Sequence, residues 1–180
     1  MEPTSSALAA FIAPLHRSEP EYHTWPTGRF EVHTFLHTQT PPDEFIISAR
    51  AVVVRDDEVL VVQDPSGYHI LPGGRREAGE TYEQTALREV LEETGWEVVI
   101  DGLLGFKHFY RLTPKAPEIS YPYPDFAQLV YRATPVRYRP EAREVGGYEL
   151  GAAFMPIAQL DQLQLTPGER LLLQAALAGR

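Results

Sequence analysis

Hydrophobic and polar positions change period several times along this chain, and each change marks an element. Residues 28–38 alternate through FEVHTFLH, the period of a half-buried strand. After Pro41 and Pro42, which mark a turn, the β-branched runs 46–54 and 59–63 enclose RDDE. That pattern predicts a hairpin turning at Asp56 and Asp57, the centre of a sheet. At residues 82–94 the period lengthens to that of a helix. Leu87, Val90 and Leu91 gather on one side of it, whereas Glu89, Glu92 and Glu93 share an arc of about 100° on the other. Thr81 with Gln84 three places later writes the start of this helix as a capping box. Gly95 suits the left-handed position just past its end. Further strands are expected at 97–100, 103–110 and 126–133. Residues 160–165 and a helix at 167–178, with Leu171, Leu172 and Ala175 spaced for one face, would close the core. Before the first strand, a short apolar helical stretch around residues 6–15 leads into the least readable part of the chain.

The acidic face of the 82–94 helix is locally unfavourable, since like charges at i,i+3 and i,i+4 repel and anions sit badly near a helix C-terminus. Taken alone, such a face is most often simply solvated. Arg88 can neutralise one charge, but a divalent cation would neutralise the cluster, and all-oxygen ligation suits magnesium or manganese better than zinc or copper.

The spacing around that helix changes the picture. Gly74, then Glu80, then Arg88-Glu89-Val90, Leu91, Glu92-Glu93, Thr94 and Gly95-Trp96 resemble the signature of the Nudix hydrolase family at every specified position. Trp96 stands where an aliphatic residue is more usual. The resemblance implies an α/β (α+β) Nudix fold, a mixed β-sheet sandwiched between helices. It implies metal-dependent hydrolysis of the pyrophosphate bond in a nucleoside diphosphate linked to another moiety: a nucleotide sugar, a dinucleotide or a nucleoside triphosphate. Mg2+ or Mn2+ would be held by Glu89, Glu92, Glu93 and the carbonyl of Gly73, with Arg88 orienting the glutamates. The base is either Glu89 or a loop glutamate, for which Glu149 best matches the family's position, with Glu141 and Glu144 as rivals. The runner-up is a catalytically inactive Nudix-fold module that binds a nucleotide or regulates. Degenerate boxes mark that class, and every acidic position here is intact.

Between the strands that precede and follow it, the segment SYPYPD at 120–125 interleaves aromatic rings with prolines, which hold the backbone extended. Tyr121 and Tyr123 are candidates to stack on a base, or else cap the core; the segment faintly resembles the aromatic-proline motif of Nudix enzymes acting on NADH. Markers of other subfamilies are incomplete. Pro114 lies farther past the box than the proline usual in ADP-ribose enzymes, and Tyr110 only loosely matches the tyrosine of dinucleoside polyphosphate enzymes. His33 and His37 would share a strand face, but no third ligand is evident, so they stay outside the site.

Composition narrows the partners. A chain of 180 residues with 43% hydrophobic content suffices for one compact domain, with residues 1–45 as an N-terminal extension packed on a Nudix domain at 46–180. The net charge of -9 argues against nonspecific binding to a nucleic-acid backbone. A small anionic substrate would instead need metal ions and a few placed cations, Arg75 among them. With no cysteine there is neither disulfide nor thiolate zinc site. No apolar run reaches a membrane span and no basic leader precedes the first apolar stretch, so the expectation is a cytoplasmic protein, with a homodimer compatible with the sequence.

Overall fold

The computed structural model describes residues 4–115, 121–144 and 146–179. Of the Tyr-Pro segment, Ser120 lies outside the described residues.

Chain order is α1 (Ser6–Ile12), β1 (Glu21–Trp25), β2 (Gly28–Leu36), β3 (Ile46–Arg55), β4 (Glu58–Asp64), β5 (Gly67–His69), β6 (Gly73–Arg75), α2 (Tyr82–Thr94), β7 (Trp96–Arg111), β8 (Asp125–Tyr138), β9 (Gly151–Pro156) and α3 (Pro167–Ala178). The strands form one mixed sheet in the order β1-β2-β7-β8-β3-β4-β5, with β6 paired to β3 and β9 to β4. Only β3 and β8 run parallel among these pairings; the others are antiparallel. The expected hairpin is present: Val54 faces Val59, Arg55 faces Glu58, and Asp56 takes the left-handed φ of 45° that a two-residue turn requires.

Alternation along β3 sorts the core into two layers. Ala49, Ala51 and Val53 point to the side where α1 and α2 lie, among Phe35, Phe106, Leu129, Ala86 and Val90. Val52 and Val54 point to the other side, where they meet Val130 and the α3 residues Leu172, Leu173 and Ala176. The sheet is thus sandwiched between helices, as a Nudix fold requires.

Four expectations need correction. The strands foreseen at 97–100 and 103–110 are one strand, β7, whose register against β8 shifts at Glu97/Val98, Ile100/Gly102 and Leu103/Gly105. Those bulges break the period of two and made one bent strand read as two. The first helix ends at Ile12, not Leu15, although Leu15 still packs on the core. The buried face of α3 is Leu172, Leu173 and Ala176 with Gly168 and Glu169, so Leu171 and Ala175 are on its margin. Glu169 closes the helix's own capping box with Thr166, and this commitment lets an acid be buried at the start of the face. In α2 the buried residues are Thr85, Ala86, Val90 and Thr94, while Leu87 and Leu91 are only half-buried, beside Val98 and Val136. Strands β1, β6 and β9 were not foreseen; β1 is a polar edge strand, EYHTW, paired to β2 from Glu21↔Val32 to Trp25↔Gly28. Residues 1–45 therefore contribute two strands to the sheet and, through Leu8 and Phe11, part of its core. Among the described residues, no helix is long and apolar enough to cross a membrane.

Candidate active site

Helix α2 begins and ends as written. Thr81 accepts from the Gln84 N–H, the Gln84 side chain accepts from the Thr81 N–H, and Gly95 has φ 76° with its N–H on the Leu91 carbonyl. With both ends fixed, the acidic face is presented to the short strand β6.

The two glycines that open β6 are needed for that contact. Gly73 has φ 144°, and a Cβ there would lie 2.4 Å from the Ala49 carbonyl oxygen; a Cβ on Gly74 would lie 2.4 Å from a Glu89 carboxylate oxygen. Glu89 therefore fills the space that a side chain at position 74 would take. Glu93 reaches the same strand, where its Oε2 accepts from the Gly73 N–H at 3.0 Å.

Arg88 ties the acids together. Its Nε and Nη2 donate to the two oxygens of Glu80 at 2.7 and 3.1 Å, a fork-to-fork pair. Its Nη1 donates to Glu89 at 2.9 Å and to Glu92 at 3.0 Å, and Nη2 also reaches the carbonyl of Arg75 at 3.1 Å. The Glu80 carboxyl is held at about 2, foremost by Arg88, with further hydrogen bonds from the Glu77 N–H and Thr85.

The electrostatics of the other acids run the opposite way. Burial pushes Glu93 up to about 8, against the pull of Arg50, and Glu149 and Glu89 add to the rise through their charge. Burial also raises Glu89, against the pull of Arg88. Burial and the neighbouring carboxylates thus disfavour full ionisation of these two acids, which a bound cation would reverse. The donor set is all oxygen, and the residues fit a hard divalent cation. Among the described residues, however, no three acids or histidines are already gathered as a metal cluster; Glu89 and Glu92 are engaged by Arg88.

The loop after β8 is clamped onto the C-terminal end of α2. Arg143 donates to the Glu93 carbonyl at 3.0 Å and to the Glu149 carbonyl at 2.6 Å, while the Glu144 N–H donates to the Glu92 carbonyl at 2.8 Å. A cation at the last carbonyls of a helix is favourable. This clamp brings Glu149 within electrostatic reach of Glu93 and Arg50. Glu141 points elsewhere, to Arg139 at the surface.

Next to β6 a groove of about 220 Å³ opens on the α3 side of the sheet, and a second of about 310 Å³ adjoins it; both are bordered by Trp25, Arg50 and Gln128. Arg75 and Tyr121 line the first, with the Arg75 guanidinium 5.8 Å from the Tyr121 ring centre. Tyr121 also packs edge-on against Phe126 at 5.1 Å and accepts a hydrogen bond from Arg111, so it caps the core and faces the groove at once. Tyr123 lines neither groove. His33 is held by Ser18 and Glu31, outside the site.

Arg50 was not foreseen. Its Nε donates to Gln128 at 3.1 Å and its Nη1 to the Leu71 carbonyl at 2.9 Å, and its enclosure pushes its pKa down against the charges of Glu93, Glu89 and Glu149. The available signal was a cation in the middle of the apolar run IISARAVVV, a position too costly for a charge without partners.

A family model described as NUDIX domain matches residues 44–176. An ADP-ribose pyrophosphatase from Methanocaldococcus jannaschii is 33% identical over 78 residues, which span 41% of this chain and 46% of that protein. The chain covers less than half the length of the curated relatives it matches. A NUDIX hydrolase from Nitrosomonas europaea superposes with a TM-score of 0.57 at 26% identity, covering 74% of this chain and 88% of that one. The Bacillus subtilis pyrophosphohydrolase BsRppH, at 17% identity, shares the fold with a TM-score of 0.59 over 83% of this chain and 92% of its own.

Proposed function

The chain belongs to the Nudix family, and from that premise we propose that it is a metal-dependent pyrophosphohydrolase acting on a nucleoside diphosphate linked to another moiety. The observation that carries this reading is the convergence of Glu89 on Gly74 and of Glu93 on the Gly73 N–H, at one edge of the sheet.

Glu89, Glu92, Glu93 and the carbonyl of Gly73 would hold Mg2+ or Mn2+. When bound, such an ion neutralises diphosphate oxygens and lowers the pKa of a nearby water. The chain's own groups do the rest. Arg88 positions Glu89 and Glu92 and, through Glu80, anchors the loop that leads into the helix. A carboxylate takes the proton from the attacking water, and Glu89 and Glu149 are the two candidates. Arg75, at the mouth of the groove, meets the anionic substrate, and Tyr121 offers a ring for its base. The relative named as an ADP-ribose pyrophosphatase supports a linked nucleoside diphosphate as substrate class. A reducing compartment such as the cytoplasm suits a chain without cysteine.

A panel of nucleotide sugars, dinucleotides, NADH and nucleoside triphosphates, assayed for product release with Mg2+, with Mn2+ and with chelator, tests the reading. Cation-dependent cleavage of at least one linked diphosphate is expected. Nucleotide binding with no cleavage in the whole panel would favour the inactive binding module.

A further inference from the structure

The floor of the grooves carries a pattern that the acidic edge does not use. Thr34 pairs with Lys107, Lys107 with Gln128, Gln128 with Ser48, and Ser48 with Arg75. Residues in register across neighbouring strands share a face. These five, from β2, β7, β8, β3 and β6, therefore draw one polar line across the sheet, from its far side to the edge where the acids lie. Two residues along each strand, the next line is apolar: Val32, Phe109 and Phe126.

Most of this polar line is buried: Thr34 is 0% exposed, Ser48 2%, Lys107 6% and Gln128 9%. Burying polar groups is costly unless they are hydrogen-bonded, yet Ser48 Oγ and Thr34 Oγ1 have no partner among the described residues. Ser48 lines the groove beside β6, and Gln128 lines both grooves. The Gln128 carbonyl oxygen accepts from Arg50 Nε at 3.1 Å, which leaves its NH2 group as the donor on a residue that lines both grooves. Lys107 donates to Glu21 at 3.4 Å, one contact for a group with three donors. The free Gln128 amide N–H and the Lys107 ammonium can only donate, whereas the Ser48 hydroxyl can donate or accept, so the balance of the line is toward donors. Trp25, Tyr121 and Phe126 stand beside it as flat walls. At the far end, Asp64 and Glu169 make the adjoining groove a poor place for a further phosphate.

A flat ring bearing hydrogen-bond acceptors matches this arrangement. We propose that the line formed by Ser48, Gln128 and Lys107 reads the edge of the substrate's nucleobase and selects bases with an exocyclic oxygen, guanine or uracil, over those with an exocyclic amine in its place, adenine or cytosine. The inference rests on the function proposed above, because the base reaches this line only if the diphosphate lies at the acidic edge. An exocyclic amine would set donor against donor at the Gln128 amide and the Lys107 ammonium and leave those buried groups unpaired, which a site built for hydrogen bonding discriminates against strongly.

Calorimetric binding of GMP, UMP, AMP and CMP to the full chain tests the selection without any cleavage. GMP or UMP is expected to bind at least about tenfold more tightly than both AMP and CMP. Ser48→Ala and Gln128→Leu should each shrink that ratio. AMP or CMP binding as tightly, no binding of any of the four at millimolar concentration, or a ratio unchanged in folded Ser48→Ala would overturn the proposal. A parallel assay on GDP-, UDP-, ADP- and CDP-linked substrates separates its failure from that of the reading beneath it. Cleavage without base preference removes only the selection, whereas cleavage of none removes the hydrolase.

Discussion

The acidic edge and the polar line meet at β6, but they are built in opposite ways. The edge comes from a local stretch, Gly73 to Glu93, in which one helix, one turn and one three-residue strand supply nearly every charged group. The line takes one residue from each of five strands spread between positions 34 and 128, and only sheet register brings them together. Chemistry that needs concentrated charge can be encoded locally, because helical spacing by itself stacks carboxylates. Recognition of a ring's edge needs donors spread over a flat surface, which a sheet face supplies and a helix does not.

If this division is right, variants in the two regions should differ in kind. The largest effect belongs to the edge. Glu93→Gln keeps size and helix propensity but removes a carboxylate that would hold the cation, so kcat on the best substrate should fall by orders of magnitude while the circular dichroism spectrum stays native. A near wild-type rate would remove Glu93 from the chemistry.

Arg88→Met should act on stability as well. It leaves Glu80, Glu89 and Glu92 without their shared partner, at a cost of about 1–3 kcal/mol. The melting temperature should drop by several degrees, and millimolar Mg2+ should recover part of the loss, because a cation takes over the neutralisation. A drop that Mg2+ leaves untouched would mean that Arg88 serves the fold alone.

Beneath the groove, Glu21 gives a pH test. Burial would raise its carboxyl, but His23, Lys107, the Gly168 N–H and Thr166 together lower it from 4.5 to about 2. A depressed folded-state pKa contributes stability above about 4.5 that is lost as pH falls toward about 2, up to roughly 3 kcal/mol. In Glu21→Gln the fall of melting temperature between those pH values should be shallower than in wild type. Parallel curves would show that Glu21 does not link β1 to the start of α3.

The smallest effect belongs to the groove wall. Tyr121→Ala should raise KM several-fold for a base-bearing substrate and spare kcat, since a ring far from the reacting phosphorus contributes similarly to ground and transition states. Tyr123→Ala, outside both grooves, should leave KM unchanged. Equal effects of the two variants would assign the change to the loop rather than to stacking.

The same contrast governs what the sequence made legible. The helix at Tyr82–Thr94, its caps and its acids could be read directly, as could the hairpin at Asp56, because each is written within a dozen or so consecutive residues. The fold class followed from the same stretch through its resemblance to a family. Strand β1 was hidden because an edge strand may stay polar, and β7 was split in reading because bulges interrupt its alternation. Arg50, Lys107 and Gln128 each stand inside apolar strands, a visible oddity in ISARAV, FKHF and FAQLV. Their gathering depends on which strands neighbour one another, and no local pattern carries that information. Tyr121 and Tyr123 had looked equivalent; only packing on Phe126 and Arg111 distinguishes Tyr121.

The central claim is that the acidic edge formed by Glu89, Glu92 and Glu93 is a divalent-cation site. Electron paramagnetic resonance of Mn2+ titrated into the substrate-free protein tests it most directly, because free and bound ion are read without any turnover. Saturable Mn2+ binding is expected in wild type and in Ser48→Ala, and its loss or marked weakening in Glu93→Gln. Binding of equal strength in Glu93→Gln, or none in wild type, would contradict it.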